Sequence, residues 1–111
     1  MNTAKLFTPM EIGSMKLKNR IVMGPMTLGF ESEDGTIDER YRDFWEARAK
    51  GGVGLIILDV VTVDKDVPYS GNTIGLYDDN LVPPLKKFVD QLHTYGARVI
   101  PQIAHPGPES I

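Results

Sequence analysis

Short apolar and polar runs alternate on either side of Gly13-Ser14, which predicts a hairpin over residues 6–20 with a two-residue turn. The apolar run Ile21-Val22-Met23 then predicts a strand over about 20–26, ending in Gly24-Pro25-Met26-Thr27. The polar stretch "GFESEDGT" reads as a loop. Apolar residues next recur at helical spacing, at Ile37, Tyr41, Phe44 and Trp45, with Arg48 on the same face. Thr36 and Glu39 form a T-x-x-E pattern and predict a capping box at the start of this helix. Asp38 with Arg42 and Glu46 with Lys50 are expected i,i+4 ion pairs, and Gly51-Gly52 is expected to end the helix, one of them left-handed.

The segment "VGLIILDVVTV" is almost continuously apolar and β-branched, the pattern of a strand covered on both faces. A polar loop is expected over about 64–79, then a helix over about 80–95 with Leu81, Leu85, Phe88, Val89 and Leu92 as its buried stripe. Pro83 and Pro84 fall in its first turn, where missing N–H groups have no helical partner to lose, and Gly96 stops it. "RVIPQI" predicts a third strand, with Pro101 inside it removing a ladder donor and so predicting a bulge or weakened pairing. The order is hairpin, β, α, β, α, β, which implies a parallel sheet. Each helix is expected to meet its following strand after one or two residues, whereas the loops leaving the strands are long. Long loops at the C-terminal ends of parallel strands are where α/β folds build their sites.

Bulk composition narrows the function. The chain has 111 residues, 41% hydrophobic and 24% charged, as a globular protein does. A net charge of −3 from 12 basic and 15 acidic residues leaves no basic stripe for nucleic acid. No cysteine is present, so this segment carries no disulfide, thiolate metal site or Fe–S ligand, and no metal site is expected in it. The N-terminus lacks the apolar core of a signal peptide, and the longest apolar run, Leu55-Ile56-Ile57-Leu58, is far too short to span a bilayer. A cytoplasmic protein with no membrane association is the expectation. Three strands and two helices cannot cover or close a parallel sheet. A (β/α)₈ barrel takes about 250 residues, so residues 1–111 read as the front portion of one.

Three segments, "LFTPMEIGSMKLKNRIVMGPMT", "RAKGGVGLIILDVVTV" and "VIPQIAHPG", carry a resemblance along nearly the whole chain. They are similar, in order and spacing, to the N-terminal part of the Old Yellow Enzyme family. These are the NADH:flavin oxidoreductases that include 2-enoate and 2,4-dienoyl-CoA reductases. The resemblance implies an FMN-binding (β/α)₈ barrel with the flavin across the C-terminal ends of the strands. Gly24, Pro25, Met26 and Thr27 match the segment packed along the flavin, and Thr27 the position whose polar group approaches the redox-active edge. Val60 matches a flavin contact that is usually Ala, so its side chain is larger than the family's, and Gln102 matches the amide that bonds the pyrimidine end. A Gln suits that edge because its amide offers both a donor and an acceptor.

The implied reaction takes hydride from NAD(P)H through flavin N5 to an activated C=C bond of an enone or enoate. Residues that anchor the substrate carbonyl, protonate its α-carbon and bind the flavin phosphate lie beyond the third strand in this family. The chain alone is therefore expected to be inactive, needing the rest of the barrel or a homo-oligomer to complete it. Two other readings stand beside this one. One is a partial-barrel binding or assembly module that joins through its open sheet edges. The other is an amine-dehydrogenase-like flavoenzyme whose Fe–S cluster lies downstream.

Taken singly, the motifs also have plain structural readings. "GPMT" suits any strand end that turns, Gln102 any strand that closes on a polar residue, and Asp59 the anchoring of a loop. His105 is a substrate-side candidate that could equally orient its loop, and His93 a solvated helix residue. Gly51 to Gly54 precede a strand rather than follow one and read as helix packing, not a nucleotide loop. Pro108 stands where the family commonly has Arg after its H-x-G, which removes that contact.

Overall fold

A computed structural model describes residues 4–69 and 71–110; Met1, Asn2, Thr3, Ser70 and Ile111, which belong to the expected 1–111 domain, lie outside the described residues. The hairpin forms as expected, β1 (Met10–Ile12) pairing antiparallel with β2 (Met15–Leu17) around Gly13-Ser14, where Gly13 takes φ 57°. β3 is only Val22–Met23, shorter than predicted, because Gly24-Pro25 leaves the ladder at once. Then come α1 (Glu39–Lys50), β4 (Leu55–Thr62), β5 (Ile74–Gly75), α2 (Val82–His93) and β6 (Arg98–Ala104).

β4 organises the sheet. β6 runs parallel along one of its edges from Leu55 to Thr62. The other edge is shared by β3 at its start and β5 at its end, both also parallel. β5 lies inside the segment predicted to be only loop; two residues give no periodicity, and their strand character comes from pairing with Val61 and Thr62. β6 pairs only with β4 among the described residues, so the sheet is open rather than closed.

The core sits between the sheet and the two helices. Tyr41, Trp45 and Ala49 of α1 and Phe88 and Leu92 of α2 pack on Ile56, Leu58 and Val61. The aromatics meet edge to face, Phe44–Trp45 at 5.2 Å and 87°, Tyr41–Trp45 at 6.0 Å, in the geometry ring quadrupoles favour. Arg48 lies 3.6 Å from the centroid of Phe44, which explains a charged residue on the buried stripe.

The α1 start differs from the predicted capping box. Asp38 is the N-cap and its carboxylate accepts from the Arg40 N–H at 2.7 Å. Thr36 is taken earlier, its N–H and hydroxyl both donating to Asp34 Oδ1. With Asp38 committed to the cap, Arg42 pairs instead with Glu39 and Asp43, while the expected Glu46–Lys50 pair forms at 3.3 Å. α2 begins later than predicted because a 3₁₀ turn at Asp79–Leu81 precedes it, with Pro83 and Pro84 in its first turn. Each helix is joined to its strand by four residues, 51–54 and 94–97, rather than one or two.

Gly52, at φ 106°, turns the chain out of α1, as expected of one of the glycine pair. Gly54 has a different role. Asn19 donates to the Gly52 carbonyl at 2.7 Å and accepts from the Ile21 N–H, stapling the hairpin to the corner that feeds β4. A Cβ on Gly54 would lie 2.8 Å from the Asn19 carbonyl oxygen and against its side chain. Gly54→Ala is therefore expected to cost about 1–3 kcal/mol of stability, read as a lower urea midpoint; an unchanged midpoint would show that the staple yields freely.

Candidate functional site

Pro101 sets the register that builds the site. β4 and β6 pair residue for residue from Leu55↔Arg98 to Ile57↔Ile100, then resume at Val60↔Gln102. Leu58 and Asp59 thus stand opposite Pro101 alone, a bulge where the proline has no N–H to give. The extra residue inverts the alternation downstream. Asp59 joins Leu58 on the helix side, where Tyr41 meets it, and Val60 moves to the face shared with Leu55 and Ile57. Registered partners in a parallel ladder share a face, so Val60 and Gln102 stand side by side there.

Gly24 to Thr27 lie at the same end. The loop after β3 is pinned by the Leu28 N–H, which donates to Asp59 Oδ2 at 3.3 Å. Thr27 is therefore one residue from an anchor on β4, and Val60 one residue beyond that anchor. Gly24, Pro25, Met26, Thr27 and Gln102 are exposed, whereas Val60 is buried. Nothing lies within 4 Å of a Cβ placed on Gly24, so the backbone there fronts open space. Neither the Thr27 hydroxyl nor the Gln102 amide has a partner among the described residues. The cluster is an open apolar and backbone face with two uncommitted polar groups, the donor set that a flat heterocycle with a polar edge requires.

His105 is engaged within the chain. Its Nδ1 accepts from the Gly107 N–H at 3.0 Å, and its Nε2 lies 3.5 Å from Asp64 Oδ2. It ties the loop after β6 to the loop after β4. His93 is exposed at the end of α2, as expected.

One cluster escaped sequence reasoning. Asp59 and Glu31 are 1% and 3% exposed, and Tyr41 is fully buried beside them. The Tyr41 hydroxyl donates to Asp59 Oδ1 at 2.6 Å. Burial first, then the charge and hydrogen bond of Asp59, push the Tyr41 phenol above its ordinary range, so it remains a donor. Glu31 is pushed from 4.5 to about 7, chiefly by burial and then by the Asp59 carboxyl beside it. No sequence signal marks Glu31, which sits in a polar loop just before two other acids, Glu33 and Asp34.

A profile of the NADH:flavin oxidoreductase / NADH oxidase family matches residues 5–111. The chain belongs to that family. It is 40% identical over 108 residues to an NADH oxidase of Thermoanaerobacter brockii, covering 95% of this chain and 16% of that protein. An NADPH dehydrogenase of Listeria monocytogenes serotype 4b is 39% identical over 97% of this chain and 32% of its own length. The structure superposes on the old yellow enzyme from Trypanosoma cruzi with a TM-score of 0.82 at 28% identity, over 96% of this chain and 28% of that one. The chain thus spans under a third of the curated relatives it matches, and its fold is the N-terminal part of the family's α/β barrel. No helix among its described residues is long and apolar enough to cross a membrane.

Proposed function

We propose that this chain is the N-terminal, flavin-facing part of an FMN-dependent NAD(P)H oxidoreductase of the ene-reductase type. The observation that carries this reading is the bulge opposite Pro101, which sets Val60 beside Gln102 one residue from the Asp59 anchor of the Thr27 loop. Bound there, FMN would supply hydride acceptance from a nicotinamide and hydride donation to an alkene conjugated with a carbonyl. Gly24 to Met26 would offer exposed backbone to the ring, Val60 a buried apolar floor, and Gln102 a donor and an acceptor for the pyrimidine edge. Thr27 would place a hydroxyl near the redox-active edge. His105, whose ring nitrogens face Gly107 and Asp64, would position the loop after β6 in this reading.

The test uses the full-length protein that carries this chain. It should purify with a flavin absorption spectrum and reduce cyclohexenone anaerobically with NADH or NADPH. Gln102→Ala should weaken FMN binding about tenfold, the value of one or two hydrogen bonds. Thr27→Ala should bind FMN normally and shift its reduction potential by about 10–30 mV. Protein that takes up no flavin would overturn the proposal.

A further inference from the structure

Glu31 and Asp59 form a buried carboxyl pair for which the proposed reaction has no use. Both Glu31 oxygens are buried with no donor at hydrogen-bonding geometry, although the carboxyl lies against Asp59. Two ionised carboxylates cannot satisfy one another, because each is acceptor only. A single proton resolves the conflict, turning one carboxyl into the donor the other lacks. Asp59 already accepts from the Tyr41 hydroxyl and the Leu28 N–H, whereas neither Glu31 oxygen has a donor. The proton therefore resides on Glu31.

The groups that face this pair are few. Tyr41 of α1 closes one side, and Asp59 of β4 is the charge acting on Glu31. Arg40, at the start of α1, is stacked over the Phe30 ring at 4.5 Å and is not a partner of either carboxyl. Nothing cationic compensates a second negative charge here among the described residues. Asp59 is also the anchor of Leu28, the residue after Thr27.

We propose that Glu31 is a positioning residue: its proton, shared with Asp59, holds the Leu28 anchor and hence the Thr27 loop in its flavin-facing position, and losing that proton releases the loop. Above neutrality the proton passes to solvent, the two carboxylates repel, and the Asp59–Leu28 bond is the contact free to break. This inference rests on the proposed function for its consequence, weaker flavin binding at alkaline pH, but not for the shared proton itself.

The experiment compares wild type, Glu31→Gln and Asp59→Asn in the full-length protein. A Gln keeps the donor to Asp59 at every pH, while Asp59→Asn removes the charge that Glu31 meets. Infrared spectra of the flavin-free protein should show a protonated-carboxyl band at pH 6 that fades by pH 9 in wild type and is missing in Glu31→Gln. FMN titrated by fluorescence quenching should bind wild type about tenfold more weakly at pH 8.5 than at pH 6, the scale of one hydrogen bond to a charged group. Glu31→Gln should hold the pH 6 affinity throughout, and Asp59→Asn should lose the pH dependence in this window. Absence of the infrared band in wild type, or an unaltered pH dependence in both variants, would overturn the inference. Wild type that binds no FMN at any pH while showing the band would instead overturn the flavin reading and leave the shared proton standing.

Discussion

Replacing Trp45 by alanine is expected to lower the free energy of unfolding by about 3–5 kcal/mol, the range for emptying a buried indole site. Trp45 is fully buried and meets Tyr41 and Phe44 through edge-to-face contacts. It belongs to the core between the helices and the sheet, and α1 also carries the Tyr41 hydroxyl to Asp59. The loss therefore combines apolar transfer, a cavity too large to collapse and weakened aromatic pairing. Trp45→Phe fills most of the volume and should cost about half as much. Urea unfolding of the two variants at constant pH measures both. A loss under about 1 kcal/mol for Trp45→Ala would mean that α1 does not dock as the structure shows.

The second large effect is on pH dependence. With Glu31 held at about 7 in the folded protein against 4.5 ordinarily, the folded state keeps a proton that the unfolded chain releases. Stability linked to this group is fully present below 4.5, falls as pH rises towards 7, and levels off above it. The full change amounts to about 3 kcal/mol. Glu31→Gln should flatten that slope, so the difference between wild-type and variant urea curves from pH 4 to pH 8.5 isolates the group. Parallel curves would exclude a raised Glu31, whatever the rest of the protein does with pH.

Much of this architecture was legible along the chain because it depends on near neighbours. The Tyr41–Trp45 spacing marked the buried face of α1, the unbroken run from Leu55 marked a doubly covered strand, and Gly13-Ser14 and Gly96 marked reversals. The Thr36–Glu39 box failed for an equally local reason. Asp34 holds Thr36 in a turn, and Asp38, one residue from the helix, caps it instead. The positions proposed to face the flavin were readable only by resemblance, since Thr27, Val60 and Gln102 carry no pattern that links them.

By itself the sequence determined the hairpin, both helices and the strands β3, β4 and β6, and that Pro101 would disturb β6, because periodicity and a missing N–H act over a few residues. The tertiary structure alone decided where that disturbance falls on β4, and so which of Asp59 and Val60 faces the helices. It alone decided that Ile74 and Gly75 form a strand, and that Glu31 leaves a polar loop to be buried against Asp59. Each of these is set by pairing or burial between residues far apart in sequence, and a strand's register or a carboxyl's solvation has no local signature.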